Sequence, residues 1–251
     1  MNLNFNKKQL IISILLLLVL LISIGNNKFE LTKMESVQAS HLANVSGYAW
    51  ADTPQASNST QGIGWVSFNS KNCDSNDNGT SDPTAPAGCP KQGSPISNYG
   101  VNIDPSSLKL AGYAWSEAAG WISFQETSGC PGGSCGASFV KKSANLYEMQ
   151  GWAKVLSMTD PQADGWIALN CSNASGAGGN ICSTSQFGVT LSVTEKEGGT
   201  MTGYAWGGEV IGWVSFSGDK YKVTTSAFPF VPSGGGPGKI SPVSSWKEVA
   251  P

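Results

Sequence analysis

No arginine occurs in this chain. Its 15 basic residues are all lysine, and only 13% of its side chains are charged. A nucleic-acid binder needs a basic stripe and usually guanidinium forks, so a net charge of −2 without Arg argues against that class. There is one histidine, His41, and it precedes the patterned part of the sequence. Neither a Ser-His-Asp or Cys-His engine nor a His-based zinc site can then be drawn from the core. Helical periodicity of useful length is also missing after Ile24, which leaves strands as the building material.

The one long apolar run lies at the start. Lys7 and Lys8 precede Leu10–Ile24, broken only by Ser13 and Ser23. Its 15 residues would make about 22 Å of helix, short for a membrane span and long for a signal-peptide core. A cleavage-like Val37-Gln38-Ala39 follows. Residues 1–43 therefore read as a signal peptide or as an N-terminal membrane anchor plus spacer, and either one exports everything after Ile24. Membrane contact is expected through this segment alone. At the other end, residues 227–251 form a Pro/Gly/Ser-rich tail that carries Trp246.

Six cysteines fall in three close couples, Cys73 with Cys89, Cys130 with Cys135 and Cys171 with Cys182. An even count and local spacing in an exported chain predict three disulfides made in an oxidising compartment. In the chain-entropy view a loop of fifteen residues gains about 3 kcal/mol from such closure.

The organising signal is internal repetition. Gly47-Tyr48-Ala49-Trp50, Gly112-Tyr113-Ala114-Trp115, Gly151-Trp152-Ala153-Lys154 and Gly203-Tyr204-Ala205-Trp206 align with one another. Each is followed by a Gly-Trp segment: Gly64–Phe68, Gly120–Phe124, Gly165–Leu169 and Gly212–Phe216. Eight of the nine tryptophans lie in these segments. Side chains alternate faces along a strand, so Tyr48 and Trp50 share one face, and Ala49 shares the other with Gly47. Likewise Trp65 and Ser67 oppose Val66 and Phe68. A third strand follows each Gly-Trp strand.

The expected fold is all-β and antiparallel, with four units of about three strands (about 44–103, 108–140, 147–191 and 200–224) inside a domain of 44–226. A closed, propeller-like arrangement is the first expectation and a two-sheet sandwich the alternative. All six cysteines lie in the long connections that leave the first three Gly-Trp strands, while the fourth connection is short and has none.

Three chemistries are weighed. Asp74-Ser75-Asn76-Asp77-Asn78-Gly79-Thr80-Ser81-Asp82 places oxygen donors at alternate positions, with Asp74, Asn76, Asn78 and Asp82 offering side chains and Thr80 its carbonyl to calcium. The alternative is an Asx-rich turn held by its own side chains. Tyr48, Trp50, Trp65, Tyr113, Trp115, Trp121, Trp152, Trp166, Tyr204, Trp206 and Trp213 are either packing residues or a platform for sugar rings. Asp52, Glu117, Asp160 and Glu209 follow the first strand of each unit and Asp164 precedes Gly165, but no acid/base pair or nucleophile stands out. No catalytic residue is assigned.

Two resemblances attach to these residues. The segment 112–124, Gly-Tyr-Ala-Trp-Ser-Glu-Ala-Ala-Gly-Trp-Ile-Ser-Phe, resembles repeats of predicted secreted or surface proteins of uncultivated small-genome bacteria, over about residues 45–224. That resemblance implies an extracellular or cell-surface location and no particular activity. Residues 74–82 resemble the calcium loops of thrombospondin type 3 and dockerin repeats; the bidentate acid of an EF-hand is replaced by Ala85. The expected function is an exported, non-catalytic module for adhesion or envelope structure, whose partner is an envelope or host-surface component. The alternative is a lectin-like glycan binder that uses exposed Trp and Tyr, with calcium as its one candidate cofactor.

Overall fold

A computed structural model describes residues 44–52, 62–86, 89–160, 164–173, 180–194 and 198–226. The chain divides into two units, Met1–Ser36 and Val37–Pro251, and every described residue belongs to the second. The N-terminal apolar segment, its cleavage-like site, His41 and the tail with Trp246 lie outside the described residues. No helix among the described residues is long and apolar enough to cross a membrane.

Each repeat begins with a long strand: β1 (Val45–Asp52), β4 (Leu110–Ser116), the pair β7 (Leu146–Gln150) and β8 (Trp152–Val155), and β11 (Gly198–Trp206). The Gly-Trp segments are β2 (Gly64–Ser67), β5 (Gly120–Ser123), β9 (Trp166–Ala168) and β12 (Trp213–Ser215). The third strands are β3 (Val101–Ile103), β6 (Ser138–Lys141), β10 (Val189–Thr194) and β14 (Tyr221–Thr225), with the two-residue β13 (Ser217–Gly218) before β14.

All pairings are antiparallel, and they close a ring. Its order is β1-β2-β4-β5-β8-β9-β11-β12 and back to β1, an eight-stranded barrel. The all-β, antiparallel character expected from the alternation is present. The closure is not that of a propeller, because each Gly-Trp strand hydrogen-bonds both to its own unit and to the next. Ser67 pairs with Trp115, and Ile122 with Val155. Propeller blades are separate sheets; here one ladder runs through all four units.

Outside this ring, the first halves of the long strands pair with the third strands. β3 pairs with β4, β6 with β7, β10 with β7 and β11, and β14 with β11 and β1. Two joints complete this second layer. Leu110 N–H donates to the Ala137 carbonyl at 2.8 Å and Phe139 N–H to the Leu108 carbonyl at 2.8 Å. The Asn44 side chain acts as a surrogate peptide for Ile103, donating to its carbonyl at 2.7 Å and accepting from its N–H at 2.8 Å.

A single residue in each unit lets one strand serve both layers. Gly47, Gly112, Gly151 and Gly203 have φ of 91°, 93°, 86° and 93°. A Cβ at these positions would overlap the carbonyl oxygens of Lys222, Gly100, Gly136 and Gly188, respectively. The same four glycines offer their carbonyls to the residue ending each Gly-Trp segment: Phe68, Phe124, Leu169 and Phe216 donate at 3.0–3.1 Å. Only glycine tolerates this backbone geometry and this approach together.

The interior is layered in fourfold register. Ala49, Ala114, Ala153 and Ala205 lie opposite Val66, Ile122, Ile167 and Val214, and all eight side chains are buried. Below them Phe68 packs on Phe124 and on Phe216 with ring centroids 5.5 Å apart, and Leu169 takes the fourth place of the repeat. Small side chains facing branched ones suit the interior of a narrow barrel.

Gly112→Ala or Gly203→Ala is expected to cost about 3–4 kcal/mol, since the left-handed backbone and the carbonyl overlap act together. Gly79→Ala, also at positive φ but with nothing within 4 Å of its Cβ, is expected to cost about 1 kcal/mol. Urea denaturation of the three variants measures the difference; equal losses would show that the close approach is not what matters.

Candidate binding cleft

The alternation that sends Ala and Val inward sends the Tyr and Trp rings outward. Trp50 lies opposite Trp65, Trp115 opposite Trp121 and Trp206 opposite Trp213, with centroids 4.8, 4.7 and 4.6 Å apart. Tyr48, Tyr113 and Tyr204 add edge contacts at 6.1, 6.3 and 6.5 Å. The rings form a half-buried outer collar, in which Tyr204 is 52% exposed. Gly64 and Gly120 sit beneath Trp50 and Trp115, with their would-be Cβ atoms 3.8 and 3.9 Å from the indoles.

A further ring arrives from the preceding unit: Tyr99 on Trp121 at 5.5 Å, Phe187 on Trp213 at 5.1 Å and Tyr221 on Trp65 at 5.2 Å. The last of these joins the fourth unit to the first. These three residues stand at one repeat position, two residues before Val101, Val189 and Val223 of the third strands, which is the signal by which the sequence could have added Tyr99, Phe187 and Tyr221 to the candidate list.

The third unit departs from the scheme. Trp152 and Trp166 are buried, 6.4 Å apart, and the Cys130–Cys135 disulfide occupies the place of the missing ring. Trp152 donates its indole N–H to the Gly132 carbonyl at 2.8 Å. Where the other units have a second Trp there is Lys154. Its ammonium lies 4.9 Å from the centroid of Trp166 and donates to the Asp164 carbonyl.

Disulfides join Cys73 to Cys89, Cys130 to Cys135 and Cys171 to Cys182. The Tyr48 hydroxyl reaches the first bridge, 3.0 Å from Cys89 Sγ, and donates to the Asn72 carbonyl at 3.1 Å. Burial, with Tyr99 nearby, holds the Tyr48 phenol well above its ordinary range. Tyr99 donates to Ser67 Oγ at 2.8 Å, and burial pushes its phenol up to about 12.

The long connection that carries the first bridge supplies Pro90, Pro95 and Ile96, just after Cys89, to the groove between units one and two, over Trp115 and Trp121, and leaves about 110 Å³ there. Within this loop the buried Asp74 accepts from the Asn78 and Gly79 N–H groups at 3.0 and 2.8 Å. Asp82 accepts from the Ser75 hydroxyl and N–H at 2.5 and 2.7 Å and from Asn76 at 3.1 Å, and the Ser75 bonds lower its pKa. Asn78 Oδ1 accepts from the Thr80 N–H at 2.9 Å. The donor set is all oxygen, the kind a hard cation takes, and the loop also closes on its own hydrogen bonds. Among the described residues no cluster of three His, Cys, Asp or Glu could hold a metal.

Between units four and one the connection after the Gly-Trp strand is only the β13–β14 hairpin. Here the groove stays open, about 700 Å³ walled by Trp50, Phe187, Tyr204, Trp213 and Tyr221, with Asp52, Asp219, Gln186 and three serines along it. A second open groove of about 570 Å³ lies between units three and four and brings together Asp160, Asp164 and Glu209 beside Trp152, Trp166 and Trp206. The acids at equivalent repeat positions thus separate. Asp52 lines the first groove, Asp160 and Glu209 the second, and Glu117 neither.

The raised phenol of Tyr99 makes stability pH-dependent. The unfolded chain loses this proton near pH 10 and the folded chain near pH 12, so the stabilisation is intact below pH 10 and declines between the two. The Tyr99 contribution to that decline is about 1.4 kcal/mol per pH unit. Tyr99→Phe should remove this part of the slope from urea midpoints measured across the interval; an unchanged slope would contradict the assignment. No family model, curated protein or solved structure matches the chain, and its function is therefore read from the open groove itself.

Proposed function

We propose that the protein is an exported, non-catalytic surface module that binds glycans in the groove between β12 and β1. The observation that carries this reading is the open groove: five aromatic rings and several hydrogen-bonding groups in about 700 Å³, the size and lining of small-molecule sites. A sugar presents an apolar C–H face and a rim of hydroxyls. Tyr and Trp rings take the first, and the Asp52 and Asp219 carboxylates and the Gln186 amide take the second. Export is supported by the N-terminal apolar segment and by three disulfides, which are compatible with an extracellular protein.

Two carboxylates in one groove also meet the first requirement of a glycosidase. General-acid carboxyls, however, sit in apolar pockets, whereas Asp219 is exposed on the hairpin turn. Binding without cleavage is the better reading. No residue of 74–82 lines the groove, so a calcium ion in that loop would brace a neighbouring cover and leave sugar binding alone.

A glycan array probed with and without chelator tests the proposal. Retention of at least one saccharide, insensitive to chelator, is expected. Tyr204→Ala should weaken it on the order of tenfold, the loss of one stacking ring, and prolonged incubation should release no new reducing ends. Retention of no saccharide, or retention indifferent to Tyr204→Ala, would reject the groove as the site; new reducing ends would make the protein an enzyme.

A further inference from the structure

We propose that Lys142 and Asn170 condense into a side-chain amide, with Glu148 moving the protons and ammonia as the leaving group. Three segments meet at this point. Glu148 lies on β7, and Lys142 follows β6 at the hairpin that joins the two strands, where its N–H donates to the Leu146 carbonyl at 2.9 Å. Val140 pairs with Glu148, so Lys142, two residues on, is a diagonal neighbour on the same face. Asn170 follows β9 and bridges Gly188, two residues before the Thr190 that pairs with Glu148. The two oxygens of one carboxylate hold both partners. Lys142 Nζ lies 2.5 Å from Oε2, and Asn170 Nδ2 donates to Oε1 at 2.5 Å.

The amide is buried and already polarised. Asn170 is 1% exposed. Its Oδ1 accepts from the Ser172 N–H at 2.8 Å, a bond that draws charge from Cγ and holds the oxygen when the carbon becomes tetrahedral. A Cβ on Gly188 would lie 2.9 Å from Nδ2 and 3.5 Å from Cγ, so any other residue there would crowd the reacting atoms. The repeat supplies a control. Asn69 is the same residue of unit one, also buried, and its Oδ1 likewise accepts from the N–H two residues on, that of Lys71, at 3.0 Å. There, however, Nδ2 donates to the Val45 carbonyl at 3.2 Å. A peptide carbonyl cannot take up a proton and return it, whereas a carboxylate can. The turn common to both units accounts for Oδ1; the Lys–Glu pair on Nδ2 is what unit three adds.

Burial would raise the Glu148 carboxyl, but the bonds from Lys142 and Asn170 hold it below its ordinary range, so the resting pair is ionised. Glu148 takes one proton from the ammonium, and the half-exposed lysine swings its freed amine onto Cγ. The Nζ–Cγ bond forms, Glu148 returns its proton to Nδ2, the Cγ–Nδ2 bond breaks, and ammonia leaves. A second proton shed by Nζ turns that ammonia into ammonium, which balances atoms and charge. The first transfer is uphill in water by about six powers of ten, the gap between lysine and glutamate. Groups held in place recover an effective molarity of about 10⁵–10⁸ M, enough for a reaction that each chain performs once. The link ties the β6–β7 hairpin to the connection that carries the Cys171–Cys182 bridge and, unlike that bridge, survives reduction.

Mass spectrometry of a tryptic digest of the full chain, folded first and then reduced and denatured, tests this. One branched peptide that joins Lys142 to Asn170 is expected, lighter than its two parts together by about 17 Da, the mass of one ammonia. Lys142→Arg keeps a charge beside Glu148 but its guanidinium stays protonated and cannot attack; it should give the two peptides separately, as should Glu148→Gln. Separate peptides of full mass from the unaltered chain would overturn the link, whether or not the variants fold. A loss of about 17 Da with the peptides still apart would mark a succinimide at an asparagine and overturn it equally. A joined peptide that persists in Glu148→Gln would overturn the role given to the carboxylate.

Discussion

The fold depends on four places where backbone touches backbone. At Gly47, Gly112, Gly151 and Gly203 a long strand passes so close to a neighbouring carbonyl that no side chain fits, and its own carbonyl is taken by the residue that closes the Gly-Trp segment. That exchange bends the strand. Its first half joins the third strands and its second half joins the barrel. Without the bend a strand could belong to one layer only, and the sheet would have edges to hide. In the third unit the bend divides what would be one strand into β7 and β8.

The aromatic collar follows from the same register. Because Ala faces Val or Ile across each inner pair, a Trp faces a Trp, or a Lys faces a Trp, across each outer pair. The outer rings cover the barrel wall and tie unit one to two, three to four and four to one through Tyr99, Phe187 and Tyr221. What differs between units is the connection laid over the collar. Disulfide-closed loops follow the first three Gly-Trp strands and a bare hairpin follows the fourth. The open groove of about 700 Å³ sits beside the shortest of these connections.

Much of this was legible in the residues. Alternation along Gly47–Trp50 and Gly64–Phe68 separates the inward Ala49, Val66 and Phe68 from the outward Tyr48, Trp50 and Trp65, because a half-buried strand must sort its side chains by face. The cysteine couples were legible because each spans a short loop. The barrel was not, since nothing in Ser67 or Trp115 announces that they pair across units; both a propeller and a barrel satisfy the same two-residue period. The roles of the glycines were not legible. Gly64 and Gly120 lie under indole rings, whereas Gly47 and its equivalents serve the backbone, and a sequence does not distinguish the two uses. Asp219 and Gln186 escaped notice because neither recurs in the other units, and a groove between units is a property of neighbours that no one repeat contains.

The described chain begins and ends at one place. Ser226 N–H donates to the Asn44 carbonyl at 2.8 Å, and Val45 pairs with Thr225, while Trp50 and Asp52 of the same strand line the open groove. The first and last described residues thus hold one another at one end of β1, and the groove lining lies towards its other end, past the bend at Gly47. A seam that joins residues so far apart in sequence is the last part of such a barrel to form, because the whole chain between them must be in place first.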